Sequence, residues 1–204
     1  GSPCQGFSFA GKQLNFEDPR SKLFFVFVDI LNHINEEKHK LWKPEVKFLL
    51  ENVKMKKEFL NIITDALGGV QPVFVNSNLL SAQSRPRWYW CNWSFAYPDD
   101  LGIKVQDILQ PEQEISDKYI VGKGQLKRLK ESTDVPKSFS AINPEKAITM
   151  TARQYANWKG NFIKTGHIVG RRINQCTTED IRRLTPVECE RLQTLPDNYT
   201  SVCS

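Results

Sequence analysis

The chain has 204 residues, and its 28 lysines and arginines exceed its 23 aspartates and glutamates to give a formal net charge of +5. Hydrophobic residues make up 40% of the chain and charged residues 25%, which is typical of a globular protein of one domain or slightly more. No apolar run approaches the roughly 18 residues that a membrane-spanning helix requires, and the mild positive charge permits a polyanionic partner without requiring one.

The first elements along the chain are a helix and a strand. Asp18 and Pro19 are typical of a helix N-cap and first helical position, and apolar residues follow at helical spacing. Residues 46–53 form a short, nearly continuous apolar run, which predicts a buried strand. This strand would carry Glu51 and Asn52 at its carboxyl end.

A second helix and two more strands follow. Residues 56–67 are amphipathic and predict a helix, which Gly68 and Gly69 would end. Residues 70–75 predict a strand, and Pro72 within it favours an edge position. The aromatic run at 87–93 predicts another strand. This alternation is typical of half of an open α/β sheet, in which ligand-handling residues lie at the carboxyl ends of strands.

The composition changes after Pro98. Residues 99–178 have few long apolar runs and many turn formers and charges, and residues 148–161 mix basic, aromatic and hydroxyl side chains that suit contacts with phosphates and bases. A solvated, β-rich insertion is the alternative interpretation. Near the end of the chain, Thr185 and Pro186 open a short helix over 187–195.

The cysteine and histidine positions favour neither disulfides nor metal binding. The number of cysteines, five, is odd, and no two of them form a CxxC motif. Both features are typical of free thiols in a reducing compartment. The three histidines have no metal-ligand spacing with each other or with the cysteines, so we expect no metal site.

One cysteine is a candidate nucleophile. Cys4 follows Pro3 and precedes a loop rich in glycine and serine. A thiol reacts as its thiolate, which nearby cations favour, and Arg85 and Arg87 could supply such a positive field. An inert, buried cysteine is the alternative, and it suits Cys91, Cys176 and Cys189 better.

Two polar clusters are candidates for the same site. Glu51 ends an apolar strand, where a carboxyl group is costly unless it is paired or protonated, and a protonated one could act as an acid. A structural pairing of Glu51 with an arginine is the alternative, and Asn52 could orient the carboxyl group or make a turn. Gln83, Arg85 and Arg87 would share one face of an extended segment. Guanidinium groups there could bind carboxylates, phosphates or carbonyls, or they could simply face solvent.

The order of these clusters resembles the DNA (cytosine-5)-methyltransferase family. The motifs that carry the resemblance are Pro3-Cys4-Gln5, Glu51-Asn52-Val53 and Gln83-x-Arg85-x-Arg87. The segments 1–12, 18–25 and 183–197, the last with its Arg183-Leu184-Thr185-Pro186 start, are also similar to that family. The resemblance therefore covers nearly the whole chain.

The resemblance implies a role for each matching residue. Cys4 would attack C6 of a cytosine flipped out of the duplex, and C5 would then take a methyl group from S-adenosylmethionine. Glu51 would hold and protonate N3, Arg87 would bond O2, and Arg85 would assist Arg87 or hold the DNA backbone. The residues implied in substrate binding are Pro3, Gln5, Ser8, Lys12, Arg20, Asn52 and Gln83. The residues implied in cofactor binding are Leu23 and Phe24.

The resemblance also implies an architecture. Residues 1–98 would be the catalytic part, 99–178 the target-recognition region and 179–204 a helical segment that braces it. The fold would be a partial doubly wound, Rossmann-like sheet that lacks its cofactor-binding half, joined to a small β-rich recognition domain. In that family the cofactor-binding half precedes the Pro-Cys-Gln loop. We therefore expect the isolated chain to be inactive without that part, which would come from the same enzyme or from a separate subunit.

Two alternatives belong to other functional classes. One is a non-catalytic DNA-binding or regulatory homologue, although the presence of Cys4, Glu51 and both arginines disfavours it. The other is a cysteine hydrolase that uses Cys4 with His167, and it lacks an orienting residue and an oxyanion motif. The favoured setting is a bacterial or phage modification system in the cytoplasm, with double-stranded DNA as the partner and no membrane.

Overall fold

The computed structural model describes residues 21–122, 140–151, 160–165 and 181–203. The chain divides into two compact units, the first formed by residues 1–76 and 86–97 and the second by residues 77–85 and 98–204. In the described ranges, no helix has both the length and the apolar character needed to cross a membrane.

The first unit is a three-stranded sheet with two helices. Its elements are α1 (Leu23–Lys40), β1 (Leu49–Val53), α2 (Lys57–Ala66), β2 (Val73–Asn76) and β3 (Pro86–Cys91). The strand order is β1-β3-β2, and both outer strands run antiparallel to β3. The mixed α/β class is thus confirmed, and among the described strands the one after Pro72 has an edge position. The two outer strands point the same way, so β3 is an antiparallel insertion between them.

Both helices cover the same face of this sheet. Leu50 and Trp90 project from β1 and β3 into a core with Phe24 and Val28 of α1 and Ile63 of α2. All five side chains are at most 8% exposed, and burying each contributes about 1.5–3 kcal/mol. Side chains alternate along a strand, so the neighbours of Leu50 and Trp90 lie on the face that these helices leave uncovered.

The ends of the first unit's elements differ in part from the prediction. The strand predicted over 46–53 begins only at Leu49, and burial alternates along it, so the expectation of a continuously buried strand is wrong. The helix after Asp18 and Pro19 begins at Leu23, and those two residues lie outside the described ranges.

The end of α2 is confirmed. Gly68 and Gly69 follow it with φ of 70° and 82°, a left-handed conformation that glycine adopts without a Cβ clash. The Gly69 amide donates to the Thr64 carbonyl at 2.9 Å. This bond satisfies a carbonyl in the last turn, so the chain leaves the helix there and turns towards β2.

The second unit has a smaller sheet and two short helices. Its elements are α3 (Val105–Ile108), β4 (Ser140–Ile142), β5 (Gly160–Lys164), β6 (Ile181–Arg183) and α4 (Pro186–Leu192). β5 is the central strand, with β4 parallel and β6 antiparallel to it. Ile163, Leu184 and Leu192 are part of its core.

The predicted helix near the end of the chain is confirmed as α4. Thr185 is its N-cap and accepts a hydrogen bond from the Glu188 amide, while the Glu188 side chain bonds back to the Thr185 amide. This reciprocal arrangement is the capping box that the Thr-x-x-Glu pattern predicts.

Candidate functional site

Glu51 and Arg87 form an ion pair on the uncovered face of the first sheet. In the β1–β3 register, Val53 lies opposite Arg87 and Glu51 lies opposite Tyr89. Glu51 and Arg87 are therefore diagonal neighbours on one face, within reach of long side chains. Arg87 Nε lies 2.7 Å from Glu51 Oε1, and the two side chains are 12% and 40% exposed. The contact joins two motifs that are distant in the sequence.

Within the described part of the chain, one oxygen of the pair has no partner. Arg87 Nη1 donates to the Pro86 carbonyl at 2.9 Å. Arg87 Nε is buried and not aligned for a hydrogen bond, so its short contact with Glu51 is a charge attraction. Among the described residues, Glu51 has no second partner, which leaves its other carboxylate oxygen available. Glu51 is less buried than the apolar run around it indicated, because only one face of the sheet is covered.

Asn52 lies on the opposite face from Glu51. It is 1% exposed, and its Oδ1 accepts a hydrogen bond from the Val53 amide at 2.8 Å. Since neighbouring residues of a strand face opposite sides, Asn52 is on the core side. Its side chain therefore supports the end of β1 from the core side of the sheet.

Gln83 and Arg85 belong to the second unit. Gln83 is 2% exposed; its Nε2 donates to the Leu192 carbonyl at 3.2 Å and its Oε1 accepts from the Met150 amide at 2.9 Å. The single extended strand expected to carry Gln83, Arg85 and Arg87 is not observed, because β3 begins at Pro86 and Gln83 forms an isolated bridge. Gln83 thus connects the end of α4 with the segment around Met150 through hydrogen bonds.

The residues implied in cofactor binding begin α1. Phe24 is fully buried in the core, whereas Leu23 is 52% exposed. Two hydrocarbon side chains, one of them enclosed, offer no hydrogen-bonding group to a ribose or an amino acid. Leu23 and Phe24 therefore do not by themselves fit S-adenosylmethionine.

Several predicted residues cannot be compared with the structure. Those outside the described ranges are Pro3, Cys4, Gln5, Ser8, Lys12, Arg20, Cys176 and His167. In the ranges that are described, no three His, Cys, Asp or Glu side chains are grouped as a metal ion would require.

A buried ion pair in the second unit was not predicted. Arg182 Nη1 and Nη2 donate to the two carboxylate oxygens of Glu188 at 2.7 and 2.8 Å, and the side chains are 1% and 0% exposed. Glu188 also accepts from the amides of Thr185 at 2.9 Å and Gln110 at 3.0 Å. The Thr-x-x-Glu pattern signals the capping bonds, but no local pattern identifies Arg182 as the partner.

A cleft of about 420 Å³ lies beside this network in the second unit. Lys118, Tyr119, Phe162, Arg183 and Cys189 are among the residues that line it. Burial, followed by the charges of two neighbouring glutamates, raises the pKa of the Cys189 thiol to about 11. Cys189 is therefore protonated at neutral pH, which agrees with its interpretation as an inert thiol.

The described part of the molecule thus has an α/β layer with a carboxylate–guanidinium pair on its open face. The family model for the C-5 cytosine-specific DNA methylase matches residues 1–91 and 94–204. The chain belongs to this family, which confirms the resemblance seen in its motifs.

Individual relatives agree with the family match. The chain is 30% identical to the type II methyltransferase M.HhaI of Haemophilus parahaemolyticus, over 98% of this chain and 65% of that protein. It is 29% identical to the type II methyltransferase M.HpaII of Haemophilus parainfluenzae, over 98% of this chain and 62% of that protein. It is 32% identical to the type II methyltransferase M.NlaX of Neisseria lactamica, over 98% and 64%. The chain thus spans somewhat less than two thirds of these relatives' length.

Proposed function

We propose that this chain carries the cytosine-activating residues and the target-recognition region of a DNA (cytosine-5)-methyltransferase. The observation that carries the proposal is the ion pair between Glu51 and Arg87, 2.7 Å apart on the open face of the sheet. Of the three motifs that carry the family resemblance, the two that contain Glu51 and Arg87 lie in the described part of the chain. A carboxylate oxygen that has no partner among the described residues, next to a guanidinium group, presents both an acceptor and a donor, as a pyrimidine edge requires.

The chemistry of the pair suits activation of a cytosine ring. Glu51 would hold a proton on N3 and Arg87 would donate to O2, and both interactions withdraw electron density from C6. Cys4 Sγ would then bond to C6, and the electron pair of the C5–C6 double bond would move to C5. S-adenosylmethionine would supply the methyl group that C5 takes. Loss of the C5 proton and of Sγ would restore the double bond and the thiolate.

The open face also suits an extruded base. A cytosine inside the duplex presents neither C6 nor its whole Watson–Crick edge, so the base must leave the stack. Glu51 is 40% exposed and Arg87 only 12% exposed, so a base laid against them would complete the burial of the guanidinium. Charge interactions strengthen when water is excluded.

The remaining residues have supporting roles in this proposal. Asn52, on the core side, would position Glu51 through the backbone of β1. Gln83 would hold the second unit together, and Arg85 would assist Arg87 or hold the DNA backbone. As the resemblance implies, Gln5, Ser8, Lys12 and Arg20 would contact the DNA substrate, and Pro3 would fix the approach of Cys4.

The proposed division of labour has three parts. Residues 1–98 would be catalytic, 99–178 would recognise the target sequence and 179–204 would brace that region. The α/β layer would be part of a doubly wound, Rossmann-like sheet, and the recognition domain would be β-rich. The partners would be double-stranded DNA and the cofactor-binding part of the same enzyme or of a second subunit.

The proposed cellular setting is a bacterial restriction–modification system acting in the cytoplasm. This proposal is supported by the type II methyltransferases of bacteria among the relatives.

The test compares variants of the longest polypeptide that the gene encodes. Duplex DNA labelled with tritium at C5 of cytosine would be incubated with S-adenosylmethionine, and tritium release would be measured. Tritium leaves C5 only after the thiolate has added to C6. We expect Glu51→Gln to slow release by about a hundredfold or more, the usual loss for a proton-transfer group. Cys4→Ser should abolish release while DNA binding persists.

The matched control is Glu58→Gln. Glu58 is another exposed glutamate of the first unit, with a side chain that is 62% exposed and only a 4.0 Å contact to Lys56. This variant should keep full activity. If Glu51→Gln releases tritium as fast as Glu58→Gln does, the proposed role of Glu51 is wrong. If the polypeptide binds DNA and S-adenosylmethionine but neither it nor Cys4→Ser releases tritium, the result favours the non-catalytic homologue.

A further inference from the structure

Three lysines follow the end of β1 that carries the Glu51–Arg87 pair. Val53 is the last residue of β1 and lies opposite Arg87. Lys54 follows it directly, and Lys56 and Lys57 come within the next four residues, at the start of α2. All three are exposed. The topology therefore places three amino groups just beyond the carboxyl end of β1, at this edge of the sheet, while the body of α2 packs on the face opposite Glu51.

Most of this charge has no compensating carboxylate in the ranges that the structure describes. Among the described residues, Lys54 and Lys57 have no carboxylate partner. Lys56 Nζ lies 4.0 Å from Glu58, and these side chains are 58% and 62% exposed. An exposed pair at that distance contributes little, so Lys56 can turn to another anion at small cost.

The proposed reaction has a use for cations at this edge. Extruding a base costs a few kcal/mol of stacking and pairing, and the phosphates beside it must be held while the base is out. Lysine is a point charge that suits phosphate. We propose that Lys54, Lys56 and Lys57 bind phosphates of the DNA strand that carries the extruded cytosine. This inference rests on the proposed function and adds three residues to the DNA contact.

The bland alternative is that these lysines only keep the surface soluble. The chain contains a matched set with which to distinguish the two. Lys40 ends α1, and Lys43 and Lys47 lie between α1 and β1, so this second set precedes β1 along the chain. All three are exposed, and Lys40 pairs with Glu37 at 2.6 Å, more closely than Lys56 approaches Glu58 at 4.0 Å. The five residues of β1, which span roughly 15 Å, lie between the two sets along the chain.

The experiment measures duplex DNA binding between about 50 and 200 mM salt for the longest polypeptide that the gene encodes. One variant carries Lys54→Gln, Lys56→Gln and Lys57→Gln, and the control carries the same change at 40, 43 and 47. Each phosphate contact adds about 0.9 to the slope of log affinity against log salt. We expect the first variant to lower that slope by about 2 to 3 and the control to leave it unchanged.

The outcomes separate this inference from the proposed function. Equal slopes for the first variant, the control and the unchanged protein would overturn the phosphate contacts, while tritium release from C5 would still support the enzyme. A slope lowered as much by the control would also overturn the inference, since general charge would explain it. Absence of DNA binding by the unchanged protein would instead count against the proposed function itself.

Discussion

Glu188 offers the sharpest test of what holds the second unit together. Its carboxylate accepts two hydrogen bonds from Arg182, at 2.7 and 2.8 Å, and one each from the amides of Thr185 and Gln110. The Arg182 and Glu188 side chains are 1% and 0% exposed. One carboxylate therefore joins β6, the start of α4 and the segment after α3.

The expected cost of Glu188→Gln follows from this geometry. The glutamine keeps one carbonyl oxygen, but its amide group faces donors that need an acceptor. Arg182 is left as a buried charge without a counter-charge, and breaking a buried pair in this way costs about 3–5 kcal/mol. For a chain of this size, that loss lowers Tm by roughly 6–20 °C.

The assay is urea or thermal unfolding followed by circular dichroism. The control is Asp197→Asn, because Arg191 and Asp197 also form a two-bond pair, at 2.8 and 2.6 Å, with side chains that are 32% and 46% exposed. Solvent screens this exposed pair, so Asp197→Asn should lower the free energy of unfolding much less than Glu188→Gln does.

A double variant tests the unpaired charge directly. Removing the charge as well, with Arg182→Met added to Glu188→Gln, should recover part of the stability. Equal losses for the Glu188 and Asp197 variants would refute the reasoning, as would a double variant that is less stable than Glu188→Gln alone.

Two further predictions concern Cys189 and the methyl donor. Burial raises the pKa of the Cys189 thiol from 9.0 to about 11. The protonated thiol therefore contributes its full stability to the folded chain below pH 9. This stability is lost as pH rises from 9 to 11, because the unfolded chain releases the proton first. Between pH 8 and 10.5, the free energy of unfolding measured with urea should fall by about 2 kcal/mol more for the unchanged protein than for Cys189→Ala. An equal fall for both proteins would contradict the burial of the thiol. Calorimetric titration of the 204-residue chain with S-adenosylmethionine should show no tight binding. A clear binding isotherm would refute the expectation that Leu23 and Phe24 alone do not form a binding site.

The residues of the proposed site were predictable in type and order, and a pairing of Glu51 with an arginine was one alternative, but the choice of Arg87 as its partner was not predictable. Glu51 and Arg87 stand out because each is a charged residue in an apolar or aromatic strand pattern, and their motifs match one family. Their 2.7 Å contact depends on the β1–β3 register. A slip of one residue would turn one of them to the other face. The exposure of Glu51 was misjudged for a related reason, since an apolar run does not say which face of a sheet its helices cover.

Gln83 shows the opposite case. Its place in a family motif implied substrate binding, whereas its side chain bonds to the Met150 amide and the Leu192 carbonyl. These partners lie far along the chain, in segments with no pattern that pairs them with position 83. Arg182 lies only six residues from Glu188, yet it was also missed, because packing and not local spacing selects a buried partner.

By itself, the sequence determined the family, the mixed α/β class and the ends of the helices that are closed by local bonds, such as the capping box at Thr185 and the glycines after α2. These features depend on residues within one or two turns of each other, so the order of side chains is enough to specify them. Only the tertiary structure decided which strands are neighbours, which face of β1 is covered and which cation meets each carboxylate. Those outcomes depend on the burial of one helix pair against one face of a sheet, a balance over many distant contacts that no single segment contains.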